Sequence, residues 1–114
     1  MIPLFVYGSL KRGFRHHGLL RRAVPLGGAA VPGCRLLLLQ AYPALVRYDA
    51  GWVRGELYRI DRPLLAELDA FEDCPHLYRR ELVRLIDGTW AYAYFASARS
   101  AMGRPVLPGE CWIE

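Results

Sequence analysis

Lysine is almost missing from this chain of 114 residues. Lys11 stands alone, and fourteen arginines supply the rest of fifteen basic residues, which against eleven acidic ones leave a formal net charge of +4. Arginine pairs well with phosphate, so the excess invites a nucleic-acid reading. An arginine-rich background composition gives the same count, however, and no RNP-like motif accompanies it. Charge alone therefore names no partner. Cysteine is also sparse: Cys34, Cys74 and Cys111 are far apart, without C-x-x-C or Cys/His zinc spacing, which excludes a disulfide framework or zinc module and fits a reducing compartment. No apolar run approaches the length of a bilayer span; Leu36–Leu39 is far too short. The opening residues Met1–Tyr7 are apolar but have neither the basic segment nor the full hydrophobic stretch of a secretory leader. The expectation is a soluble, cytoplasmic protein with neither a membrane nor a nucleic-acid partner. Linkers, repeats and low-complexity segments are missing too, so residues 1–114 read as a single domain.

What is present supports a packed core. Hydrophobic residues make up 54% of the chain and charged ones 23%, a balance that excludes intrinsic disorder. Strands dominate. Ile2–Tyr7 reads as a buried first strand stopped by Gly8. A polar loop from Ser9 to Arg15 leads to a short helix over His17–Arg22. Gly27-Gly28 and Pro32-Gly33 punctuate a weak strand, Cys34–Gln40 forms a stronger one, and Tyr42–Val46 is extended. Asp49-Ala50-Gly51 reads as a turn before a strand over Trp52–Ile60. Asp61 is a good N-cap and Pro63 suits a first helical turn, while Leu64, Leu65, Leu68 and Phe71 recur at helical spacing. This helix should stop before Pro75. Asp87-Gly88 is a strong hairpin signal joining Tyr78–Ile86 to Thr89–Ala96. The tail from Ala98 is mostly irregular. The order predicts an α+β fold, with a small mixed β-barrel and one or two flanking helices.

Several residues carry possible chemistry. Glu72 lies just past the helix between Phe71 and Asp73; desolvation beside Phe71 and Tyr78 would raise its pKa toward neutrality, as a general base requires. The plain alternative is a solvated carboxylate at a helix end. Asp69, three residues earlier, is a candidate neighbour. In Tyr7-Gly8-Ser9-Leu10-Lys11-Arg12-Gly13 a strand ends in glycine and serine, exposing backbone N–H groups that can hold a carboxylate or carbonyl oxygen. The same loop has the G-x-x-x-x-G spacing of a phosphate loop, but Phe14 occupies the lysine position. His16-His17 points in two directions and suits no metal. Cys74 reads as a structural thiol, and Ser9 lacks the G-x-S-x-G setting of a hydrolase nucleophile. Trp90, Tyr92 and Tyr94 share one face of a strand, more in the manner of core than of a base-stacking platform.

The ordered succession Phe5-Val6-Tyr7-Gly8-Ser9-Leu10-Lys11-Arg12-Gly13, His17, Leu20, Tyr42-Pro43-Ala44-Leu45, Val53-Arg54-Gly55-Glu56-Leu57-Tyr58, Leu68-Asp69-Ala70-Phe71-Glu72, Tyr78-Arg79-Arg80 and Tyr94 resembles the gamma-glutamylcyclotransferase-like family. The likeness is greatest to its short branch, which includes gamma-glutamylamine cyclotransferase. It implies the barrel fold, a pocket beside the first-strand loop, Glu72 as the catalytic carboxylate, and Tyr7, Gly8, Ser9 and Leu10 around the gamma-glutamyl group of a small-molecule substrate. Tyr78 and Tyr94 match pocket tyrosines. The implied reaction is closure of 5-oxoproline with release of an amine, with no cofactor and no metal. Lys11, Arg79 and Arg80 would attract an acidic substrate. Ser9 stands where close relatives often have Thr, Arg15-His16-His17 replaces a more usual Asn-His pair, and the chain is shorter before Trp52 and in its tail. The two other readings are a non-catalytic module binding a small acidic ligand in the same pocket, and a basic nucleic-acid binder.

Overall fold

The computed structural model describes all 114 residues. Five strands, β1 (Ile2–Val6), β2 (Val24–Leu39), β3 (Tyr42–Ile60), β4 (Tyr78–Arg84) and β5 (Trp90–Ala96), form one mixed sheet in the order β2-β3-β1-β5-β4. β1 is antiparallel to β3 and parallel to β5. Helix α1 (Arg62–Phe71) links β3 to β4, a single 3-10 turn spans His17–Leu20, and a four-residue helix α2 (Ala98–Ala101) follows β5. The mixed α+β architecture is the one expected. The sheet, however, does not close into a barrel: β2 and β4 remain its two edges. The chain curls part of the way, since β3 also meets β5 at Leu45↔Phe95 and Ile86 N–H bonds to the Ala30 carbonyl at 2.9 Å.

β1 is central, and its sequence says why. Leu4 and Val6 enter one buried cluster while Phe5 and Tyr7 enter the other, so a strand covered on both faces has no polar alternation. β3 approaches it closely at Gly55, where a Cβ atom would fall 2.2 Å from the Val6 carbonyl oxygen. No side chain fits there.

The punctuated stretches before and after Gln40 are two long continuous strands, not four short ones. The pairing shifts at Pro25/Gly27 and again at Pro32/Cys34, and Tyr48 to Gly51 stand opposite Gly33 alone. Asp49-Ala50-Gly51 thus marks a bulge, not a reversal of the chain. Such insertions bend and twist a strand without ending it. The reversal occurs at Gln40-Ala41, a two-residue hairpin with Gln40 at φ 57°, the left-handed conformation such turns require.

Helix α1 follows its sequence signals. The Asp61 carboxylate accepts from Leu64 N–H at 2.9 Å, and Leu64, Leu65 and Leu68 are buried, each contributing about 2 kcal/mol of apolar burial. The helix ends in a Schellman arrangement: Cys74 N–H bonds to the Asp69 carbonyl, Asp73 N–H bonds to that of Ala70, and Asp73 takes the left-handed position at φ 50°. Glu72 is the residue at the cap.

The β4–β5 hairpin pairs Tyr78↔Ala96 through Arg84↔Trp90, with Leu85–Thr89 in its turn and Gly88 at φ 91°. After α2 the tail returns along the sheet. Leu38 and Leu107 N–H bond to the Pro105 and Leu36 carbonyls, Lys11 Nζ donates to the Trp112 carbonyl at 2.8 Å, and Arg15 N–H donates to Glu114 at 2.8 Å. The loop after β1 is tied down by the far end of the chain. No helix is long and apolar enough to cross a membrane.

Candidate active site

A cavity of about 330 Å³ opens where the β1 loop, the β2–β3 hairpin, the end of α1 and strands β4 and β5 converge. Tyr7, Gly8, Ser9, Leu10, Glu72, Tyr78 and Tyr94 all line it. Segments as much as 87 residues apart in sequence therefore share one pocket.

The fold positions each of them by backbone. Gly8 presses against Pro43, where an added Cβ atom would lie 3.0 Å from the proline Cγ. The turn that follows is held by Lys11 N–H to the Gly8 carbonyl at 3.1 Å and His16 N–H to the Ser9 carbonyl at 2.9 Å. The N–H groups of Gly8, Ser9 and Leu10 donate to no acceptor in the protein. Three successive unpaired donors in residues of a cavity wall are the kind of group that can hold a carboxylate or a developing oxyanion.

The tyrosines are wall and scaffold together. Tyr7 Oη donates to the Tyr94 carbonyl at 2.6 Å and accepts from Leu45 N–H at 3.2 Å. Tyr78 Oη donates to the Pro43 carbonyl at 2.9 Å. Tyr94 Oη donates to Asp69 Oδ1 at 2.7 Å, and Asp69 Oδ2 accepts from Arg80 Nη1 at 2.6 Å. Burial pushes all three phenols up, and the Glu72 carboxylate adds to the rise in each. They stay neutral, their protons committed to protein acceptors. Asp69 neighbours Tyr94 and Arg80, which makes it a brace for the wall.

Glu72 differs from every other acidic group nearby. Its carboxyl is half-buried and has no hydrogen-bond partner, and desolvation raises its pKa from the usual 4.5 to about 7. Among the lining residues it is the one carboxylate, and no lysine or arginine lines the cavity. An acid poised there exchanges its proton near neutral pH.

Other sequence candidates lie elsewhere. Lys11 is buried, bonded to the tail and stacked 4.6 Å from the Phe14 ring centre, and Arg80 is spent on Asp69. The basic residues expected to draw in an acidic substrate thus serve the scaffold, and Arg79 lies outside the lining. His16 and His17 turn apart, with Nδ1 of the first 2.9 Å from Ser9 Oγ and Nδ1 of the second 2.9 Å from the Leu10 carbonyl. No three of the His, Cys, Asp and Glu residues gather where a metal ion could be held. Cys74 packs against the core outside the cavity. Of the strand aromatics only Tyr94 lines the pocket; Trp90 is exposed beneath Arg84, and Tyr92 lies under Arg80. Sequence reasoning did not find Gln40, Tyr42, Pro43, Phe71 or His16 as lining residues. The Tyr42-Pro43 pair in a hairpin return beside the glycine loop was the available signal.

Comparison with known proteins establishes the family. The family described as gamma-glutamyl cyclotransferase, AIG2-like, matches residues 4–114. The chain belongs to that family. It is 34% identical over 112 residues to the gamma-glutamylcyclotransferase family protein YtfP of Escherichia coli (strain K12), covering 97% of this chain and 96% of the relative. To the gamma-glutamylaminecyclotransferase of Homo sapiens it is 36% identical over 97 residues, covering 75% of this chain and 62% of the human protein. The crystal structure of an AIG2-like protein from Mus musculus superposes with a TM-score of 0.81 at 28% identity, over 94% of this chain and 86% of that one. A Pyrococcus horikoshii protein at 24% identity and a TM-score of 0.75 shares the fold.

Proposed function

We propose that this member of the family closes gamma-glutamyl compounds to 5-oxoproline, with Glu72 as the acid–base group. The observation that carries the reading is an unpartnered carboxyl with a pKa of about 7 in the same cavity as the free N–H groups of Gly8, Ser9 and Leu10.

The chemistry follows from those two features. The α-amine of a gamma-glutamyl compound is tethered to its own side-chain carbonyl, so catalysis is largely a matter of folding the substrate into attacking geometry. The α-ammonium gives a proton to the Glu72 carboxylate. The amine then attacks the side-chain carbonyl carbon, a new C–N bond closes the five-membered ring, and the carbonyl oxygen takes up negative charge. The unpaired N–H groups of the β1 loop stabilise that oxygen or hold the substrate α-carboxylate. As the old C–N bond breaks, protonated Glu72 gives its proton to the leaving amine, and the carboxylate so regenerated takes the second proton from the ring nitrogen, leaving a neutral lactam. One carboxyl performs all three transfers, which a pKa near the working pH favours. Tyr7, Tyr78 and Tyr94 shape the walls, and their committed hydroxyl protons keep them from competing as acids.

The test is incubation of the purified chain with a panel of gamma-glutamyl amines and peptides, followed by quantitation of 5-oxoproline. Stoichiometric release of 5-oxoproline and amine, lost in Glu72→Gln, supports the assignment. Wild-type turnover in Glu72→Gln removes Glu72 from the mechanism, and binding of these compounds without turnover assigns the pocket to ligand capture instead.

A further inference from the structure

The cavity has two ends of different character. Tyr7, Tyr78 and Tyr94 are only 6%, 7% and 3% exposed, and they enclose its deep part. His16 and Tyr42 are half-buried, Phe71 is 43% exposed, and all three line the same cavity; they form its open part.

These three rings make one cluster. The His16 ring meets Phe71 edge-on, with centroids 4.9 Å apart, and lies 5.6 Å from the Tyr42 ring. Each is held in place by the protein itself. His16 is fixed through its backbone N–H and its Nδ1 to Ser9, Tyr42 by Arg15 Nη1 on its hydroxyl at 3.1 Å, and Phe71 as the last residue of α1. The cluster exists before any ligand arrives, which lowers the cost of using it. No lysine or arginine lines the cavity, and Arg15 at its rim is turned to the Tyr42 hydroxyl.

We infer that the His16–Tyr42–Phe71 cluster is the subsite for the leaving amine, and that it selects an amine carrying an aromatic ring. The inference rests on the cyclotransferase reading and extends it to a substrate class. Ring-on-ring contact and apolar burial favour an aryl group, whereas a small alkyl amine leaves the cluster bare. An amine bearing a carboxylate in place of a ring leaves the same contacts unmade.

The experiment compares gamma-glutamyl benzylamide, methylamide and glycine in two ways. Each is assayed as a substrate by 5-oxoproline release, and as a ligand of Glu72→Gln by titration calorimetry. The benzylamide is expected to show about tenfold higher kcat/KM and about tenfold tighter binding than either of the others, the size of effect one well-placed ring contact supplies. Phe71→Ala and Tyr42→Ala should each bring both ratios close to one. Equal constants for the three compounds, a preference for the glycine compound, or a preference that survives Phe71→Ala overturns the subsite. Turnover without preference overturns the subsite alone. A binding preference that Phe71→Ala abolishes, with no turnover of any compound by the wild-type chain, supports the subsite and overturns the cyclotransferase reading.

Discussion

Replacing Glu72 by Gln should make the protein more stable in alkaline solution while stopping the reaction. Below its unfolded pKa the carboxyl is protonated in both states, and burying it costs little. As pH rises the unfolded chain ionises first, while the folded carboxyl holds its proton up to about 7. The stability contributed by that retained proton is lost through this window, and above it the folded protein carries a partly desolvated charge. The rise from 4.5 to about 7 corresponds to about 3 kcal/mol at 1.36 kcal/mol per pKa unit, reduced to about 2 kcal/mol because water still reaches the half-buried group. Glutamine keeps the shape and removes the charge. Thermal melts at pH 8 should therefore place Glu72→Gln about 8 °C above the wild type, the Tm equivalent of about 2 kcal/mol in a domain of this size. At pH 4 the two curves should nearly coincide. The same carboxylate, acting as base, should make wild-type kcat/KM climb with pH and level off above about 7. A stability difference that is the same at pH 4 and pH 8, or no gain at pH 8, would refute the claim that Glu72 is held desolvated.

The scaffold gives further tests. Gly8→Ala puts a methyl group 3.0 Å from the Pro43 Cγ, and overpacking of this kind should cost about 1–2 kcal/mol and lower kcat/KM, measured by denaturant titration and 5-oxoproline assay. Tyr7→Phe leaves the Tyr94 carbonyl and the Leu45 N–H without their buried partner, a loss of about 2 kcal/mol in a urea melt; an unchanged midpoint would show that water replaces the hydroxyl. Asp61→Ala removes the α1 cap and should cost about 1 kcal/mol by the same melt while leaving the pH dependence of turnover in place.

Sequence exposed the site more fully than the sheet. Helix α1 was legible because its cap, first-turn proline and leucine spacing are all local. Glu72 stood out through the resemblance of its segment to the family, since position alone also allowed a solvated carboxylate at a helix end. β2 and β3 were misread as shorter strands for a physical reason: Gly27, Gly33 and Gly51 are the residues a turn needs, and also the residues a bulge needs. Only the pairing partner distinguishes the two. Closure of the sheet likewise depends on accumulated curvature, which no short segment encodes. The Asp69–Arg80–Tyr94 brace joins residues on α1, β4 and β5, so it exists only once those elements have met. The aromatic cluster at the cavity mouth is not legible in sequence because His16, Tyr42 and Phe71 lie on a loop, a strand start and a helix end that only the fold brings together.

The tie between the β1 loop and the tail has a consequence for how this protein can be handled. Lys11 and Arg15 are bonded to Trp112 and Glu114, 101 and 99 positions away. A fusion or deletion near residue 114 therefore pulls on the segment that supplies the free N–H groups, and is felt beside Ser9.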